Sequence, residues 1–313
     1  PQTQKLDQYL SGQGLTSETA RALWQEASGK IWVGTGDGLN LFDPAAEKFI
    51  QYYSDSSFDT SLSSNAINTF YQDRSGILWI GTYGGGLSTV DPLANQFVHL
   101  YHDPDNSKSL GSNMTFSVAP AADGSLWAAL YSRGIDRYDP VADTFTHYAH
   151  DPSNPNSLRD NRTWYVMAAR DGDIWIGTTT GLDRLNPQTG DFYHFPIEGD
   201  YADHLPGMTV YDLYQDRAGN VWVGMDSGLA RYNEQSGSFS YFPSVPESSV
   251  GVDPSVLSIV EDQNGILWAG TFSAGLVRLD PRTGDLKYYR HDPQAAGSLG
   301  NDSVLSLLVD EKN

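Results

Sequence analysis

In GILWIGTYGGGLSTVDP, residues 76–92, the glycines Gly81, Gly84, Gly85 and Gly86 crowd around Thr82 and Tyr83 in the manner of a phosphate-cradling loop. The same design returns five times. It reads GKIWVGTGDGLNLFDP from Gly29, GSLWAALYSRGIDRYDP from Gly124, GDIWIGTTTGLDRLNP from Gly172, GNVWVGMDSGLARYNE from Gly219 and GILWAGTFSAGLVRLDP from Gly265. A phosphate loop needs a following helix N-terminus and a Gly-Lys-Ser/Thr end, and neither is present. The glycines make turns, and the repeat is architecture.

The tryptophans Trp32, Trp79, Trp127, Trp175, Trp222 and Trp268 are spaced by 47, 48, 48, 47 and 46 residues. Around each, four apolar runs alternate with turn residues. In the second unit these are INTFYQD, LWIGT, GLSTVD and FVHLY, read here as strands a, b, c and d. A glycine three residues before each Trp suits the tight a–b turn, and Asp-Pro or Asn-Pro after strand c stops the ladder. Four short antiparallel strands at this period predict an all-β fold, a β-propeller, with the strand-b indoles packed between neighbouring blades. The units cover about 17–54, 65–101, 113–148, 161–195, 208–242 and 255–290 of a single domain over 1–313. KLDQYL near the start reads as a lone strand d (about 5–10), and SVLSLLVD near the end as a lone strand a (about 303–310). Six complete repeats plus the terminal strands of an incomplete seventh are expected: either the chain was cut from a larger protein, or six blades close the ring.

Composition narrows the partners. The net charge of −20, with 19 scattered basic residues, repels phosphate backbones and anionic lipid, so neither nucleic acid nor direct membrane insertion is expected. There is no cysteine, which removes disulfides and thiolate chemistry, and no apolar run long enough to span a bilayer.

The pattern D-x-x-G-x-L-W-I-G-T-x-x-G-G-L-x-x-x-D-P, with the connector HDPDNSKSL, resembles the two-component regulator propeller repeat over all six units. The third unit departs with WAALYSRGI and the fifth with WVGMDSGL and no Asp-Pro. The resemblance implies seven-bladed propellers, often in tandem, serving as the extracytoplasmic sensor part of membrane histidine kinases and hybrid regulators. It also implies a small extracellular ligand such as an oligosaccharide, a membrane-anchored parent, dimerisation in that parent, and no catalysis.

The variable positions are the candidates for chemistry, because repeats hold a scaffold constant while loops differ. The b–c loops carry Asp37, Tyr83, Tyr131 with Arg133, Thr179, Asp226 and Phe272, and the starts of strand a carry Asn65, Asn113, Asn161 and Arg162. In a propeller these emerge on one face around the channel entrance, where aromatics stack on sugar rings and a guanidinium binds a carboxylate. The histidines His102, His150 and His291 of the HDP connectors, and His99, His147 and His194 of strand d, recur one per blade. They do not converge as metal ligands must, and no metal or cofactor is expected. Asp43, Asp91, Asp139 and Asp280 fall at turns, and no acid-base cluster or G-x-S-x-G elbow is visible. A propeller lyase or hydrolase with its site at the channel mouth, and a protein-interaction scaffold, are the alternative readings.

Overall fold

Each repeat folds into one antiparallel sheet, as alternating short apolar runs and glycine turns require. The computed structural model describes residues 7–73, 76–91, 96–196, 205, 208–246, 251–295 and 297–310. Blade 1 is β1 (Ala20–Gln25), β2 (Ile31–Thr35), β3 (Leu39–Asp43) and β4 (Lys48–Tyr52). Blade 2 is β5 (Ile67–Gln72), β6 (Leu78–Thr82), β7 (Leu87–Asp91) and β8 (Gln96–Leu100). Blade 3 is β9 (Thr115–Pro120), β10 (Leu126–Leu130), β11 (Gly134–Asp139) and β12 (Thr144–Tyr148). Blade 4 is β13 (Thr163–Ala168), β14 (Ile174–Thr178), β15 (Gly181–Asn186) and β16 (Asp191–His194). Blade 5 is β17 (Val210–Gln215), β18 (Val221–Met225), β19 (Gly228–Asn233) and β20 (Ser238–Phe242). Blade 6 is β21 (Val256–Glu261), β22 (Leu267–Thr271), β23 (Leu276–Leu279) and β24 (Leu286–Tyr289). Strands follow chain order across every sheet, the up-and-down blade of a β-propeller.

Two compact units are distinguished. One, Leu10–Phe195, contains blades 1–4; the other, Pro1–Tyr9 with Pro196–Asn313, contains blades 5 and 6. Within the first, β1, β5, β9 and β13 pack side by side in succession, as β17 and β21 do within the second, so strand a is the inner strand. Blades meet through their indoles. Trp32 is buried with Leu62, Ile67 and Ile80 of blade 2 and its entry, Trp79 with Leu110 and Leu126 of blade 3 and its entry, and Trp127 with Leu158 and Ile174 of blade 4 and its entry. In the second unit Trp222 packs on Val256, Ile259 and Leu267. Trp175 is buried, while Trp268 is half-buried.

Strand b ends in Gly-Thr in most units because the next inner strand comes close: a Cβ on Gly34 would sit 2.5 Å from the Ile67 side chain. Behind strand b, Trp32, Trp222 and Trp268 donate their indole N–H to Glu26, Asp216 and Asp262 at 2.7, 2.9 and 3.0 Å. A buried indole N–H needs such a partner.

The described parts of the two end segments form no strand. Lys5 and Leu6 lie outside the described residues. The 299–310 segment nonetheless makes the contacts of an inner strand on blade 6. Gly275 donates its N–H to Asp302 at 2.8 Å, as Gly134 does to Asn161 at 2.9 Å, and Leu307 donates to the Ser258 hydroxyl at 3.1 Å. These bonds run to the preceding blade and leave the segment without a ladder of its own.

Candidate functional site

The b–c loops and the starts of the inner strands lie at one end of each blade and are tied together there. Tyr83 donates its backbone N–H to Ala66 O, Tyr131 to Met114 O and Thr179 to Arg162 O, at 2.9, 3.0 and 3.0 Å. Asp226 and Phe272 repeat the bond to Thr209 O and Ser255 O in the second unit, both at 3.0 Å. Sequence-predicted positions of both kinds therefore share a face within each unit.

A β-bulge sits at the same place in all six blades. In the pairing of strands a and b the register slips at the second residue of strand a and skips Arg21, Asn68, Phe116, Trp164, Tyr211 and Leu257. A bulge frees its extra residue from the in-out alternation and re-aims it. In the first unit the result is an aromatic cluster. The Phe116 and Trp164 ring centroids lie 4.9 Å apart and nearly perpendicular, with Tyr131 5.5 Å from Phe116 and 5.4 Å from Trp164. Tyr83, half exposed, completes it at 6.2 Å from Phe116. Trp164 is further fixed by an indole hydrogen bond to Thr179 Oγ1 at 3.2 Å.

Polar groups border these rings. Arg162 forks onto Asp160, Nε to Oδ1 at 3.3 Å and Nη2 to Oδ2 at 2.9 Å. Those bonds raise the Arg162 pKa, and they hold Asp160 below the carboxylate range although its desolvation pulls the other way. Arg133 is exposed on the three-residue turn in which Ser132 takes a left-handed φ of 73°, a conformation uncommon outside glycine. The Arg21 guanidinium lies over Gly36, next to the exposed Asp37.

The remaining predicted residues have internal duties. Asn65, Asn113 and Asn161 accept the backbone N–H of Ser54, His102 and His150 through Oδ1 at 2.7, 2.6 and 2.7 Å, which closes the connector onto the blade. Asp226 accepts from Met208 N and Thr209 N at 3.1 and 3.2 Å. In the second unit Phe272 is exposed and Tyr211, at the bulge, is raised in pKa by burial and by Asp226 and Asp253.

The histidines are structural in both sets. His102, His150 and His291 place Nδ1 2.8, 2.7 and 2.6 Å from the carbonyl of Leu110, Leu158 and Leu299, the anchor that ends each connector. His147 and His194 each meet two oxygens: Nδ1 faces Asp136 and Asp183 at 2.7 Å, and Nε2 faces the Ser107 and Pro155 carbonyls at 3.1 Å. The hydrogen bond to the carboxylate, ahead of the other causes, raises the pKa of both rings, and a protonated ring donates to both oxygens at once. Among the described residues no group of three or more His, Cys, Asp or Glu could hold a metal ion.

Sequence reading found Tyr83 and Tyr131 but not Phe116 or Trp164. The signal was available: the second residue of strand a varies as Arg, Asn, Phe, Trp, Tyr and Leu, whereas the first is always small or β-branched.

Three stretches, 61–84, 204–227 and 251–273, match the family model described as two component regulator propeller. Among curated proteins, no sequence relative matches the chain. The structure is similar to the extracellular domain of the hybrid two component system BT3049 from B. thetaiotaomicron, with TM-score 0.82 and 28% identity over 96% of this chain and 38% of that one. It is also similar to the extracellular domain of the one component system BT4673 from the same organism, with TM-score 0.73 and 23% identity over 93% of this chain and 36% of that one. This chain thus spans little more than a third of those structures. The virginiamycin B lyase of Staphylococcus aureus shares the fold at TM-score 0.62 and 13% identity, over 86% of this chain and 83% of that one. No helix among the described residues is long and apolar enough to cross a membrane.

Proposed function

From a chain that carries two component regulator propeller repeats, we propose a non-catalytic, extracytoplasmic sensor domain of a two-component signalling protein that binds a small extracellular saccharide. The observation that carries this reading is the cluster in which the bulge residues Phe116 and Trp164 meet the b–c loop residues Tyr131 and Tyr83 at one end of blades 2–4. Such rings present flat apolar faces to the C–H face of a sugar, while Arg133 and the Arg162–Asp160 pair supply hydrogen bonds at the edge. The titratable pairs with shifted pKa argue against catalysis, because both nitrogens of His147 and His194 are already bonded inside the blade. Placement outside the cytoplasmic membrane is supported by the resemblance to extracellular domains, and an anchored, dimerising parent is part of the same proposal. Signalling then needs a ligand that favours one arrangement of the parent over another.

Thermal-shift screening of the chain against neutral and acidic oligosaccharides tests the reading. A true ligand at 100 times its Kd adds about 2.7 kcal/mol of stability. A panel that produces no shift, together with release of an unsaturated or hydrolysed product from any member, replaces this reading with catalysis.

A further inference from the structure

We propose a second binding site on the opposite, a–b turn face of the first unit: a slot lined by blades 2, 3 and 4 that takes a small uncharged aromatic or cyclic aliphatic molecule. The cavity has a volume of about 450 Å³. Its floor is aromatic, with Trp79 and Tyr138 tilted together at 5.6 Å between centroids, and Tyr71, Pro120 and Pro140 stand around it. Ligand sites are typically of this size and lining, roughly 300–1,000 Å³ with mainly apolar walls.

The repeat shows how the slot arises. At the last residue of strand a and the next, the first, second and fifth units carry Gln25-Glu26, Gln72-Asp73 and Gln215-Asp216. The glutamines reach the turn carbonyls of Gly29, Gly76 and Gly219 at 3.4, 2.9 and 3.2 Å, and the acids cap the indole of their own blade. The third and fourth units have Pro120-Ala121 and Ala168-Ala169 instead. Their carboxylates stand two residues later, as Asp123 and Asp171, paired to Arg137 and Arg184 at 2.7 and 3.0 Å. Truncation of four side chains in successive blades leaves a gap floored by rings.

The chemistry of the walls selects the occupant. Both oxygens of Asp73 are engaged, by Ile77 N at 3.1 Å and Trp79 Nε1 at 3.0 Å. Tyr138 donates its hydroxyl to Asp143 at 2.8 Å, and burial first, then that bond, pushes its pKa up to about 12. Ser125 donates to Asp123 at 2.6 Å. Water in such a slot finds few partners, and an apolar ring displaces it favourably. Arg170, which is exposed, also lines the slot.

Fluorine NMR of 4-fluorophenol and 4-fluorobenzoate, titrated with the full chain, provides the test. Line broadening of 4-fluorophenol is expected, with a Kd at least tenfold tighter than for 4-fluorobenzoate. The double variant Pro120→Gln/Ala121→Asp, which restores residues the other units tolerate, should weaken binding at least tenfold, and Ala121→Leu should do the same by filling the gap. Tyr131→Ala, on the opposite face, should leave it unchanged. Absence of broadening, preference for the benzoate, or binding that survives both filling variants overturns the proposal.

Discussion

Asp136 and His147 are direct partners across the β11–β12 ladder, and Asp183 and His194 hold the same two places across β15–β16. Both carboxylates are sealed from solvent, and each also accepts a connector N–H at 2.7 Å, from Gly111 and Arg159. The pair therefore fastens the d–a connector to the outer half of its blade.

The fastening is pH-dependent. Because the folded pKa of both histidines is raised, their contribution is fully present below the unfolded value of about 6.5 and is lost as pH rises through the folded pKa. The urea midpoint of the wild-type chain should fall from pH 6 to pH 9 by more than that of His147→Gln/His194→Gln. Parallel curves for the two proteins would exclude the imidazolium pairs as the cause.

Asp136→Asn keeps the shape and removes the charge, leaving His147 and Gly111 beside a neutral amide. His147 is partly exposed and can lose its proton, so the cost is that of a charged hydrogen bond, about 1.5–3 kcal/mol. Chemical denaturation reads this directly, and a loss below about 1 kcal/mol would mean that the connector is held elsewhere.

Asp216 satisfies both the Trp222 indole and the Asn220 backbone N–H, at 2.9 and 2.8 Å. Asp216→Ala orphans a fully buried donor and should cost about 1–3 kcal/mol. Trp222→Ala should cost about 3–5 kcal/mol through the cavity it opens between blades 5 and 6.

Gly134 has a φ of 82°, and a Cβ there would run into the Tyr148 carbonyl. Gly134→Ala should cost about 1–3 kcal/mol by melting temperature, whereas strain elsewhere in the b–c turn is already accommodated at Ser132.

For any saccharide that binds, Trp164→Ala and Tyr131→Ala should each weaken affinity at least tenfold, about 1.4 kcal/mol, with circular dichroism unchanged. Asn161→Ala should instead lower stability, because its Oδ1 holds His150 N. The opposite pattern would move the site away from the cluster.

The period of the indoles and the glycine turns made most strands legible: LWIGT coincides with β6, and GLSTVD overlaps β7 with a one-residue difference. Tyr131 stands out as a candidate because b–c loops vary, and the structure places it among the clustered rings. Strict alternation assigns Phe116 and Trp164 to the scaffold, and only the variation at the second residue of strand a betrays the bulge. Asn65, Asn113 and Asn161 look like free hydrogen-bonding groups in sequence, yet only the folded connector supplies their partner. The Asp-His pairs lie 11 residues apart in chain and become neighbours only through the c–d register. A slot made by missing side chains is visible only against the repeat that fills it elsewhere.

An inner-strand residue that the a–b register skips can change in character while the ladder beside it stays as it was. Arginine, asparagine, phenylalanine and tryptophan already occupy that place in blades 1–4. The bulge thus works as one interchangeable letter per blade: the side chain there can be exchanged without shifting the ladder that holds the blade together.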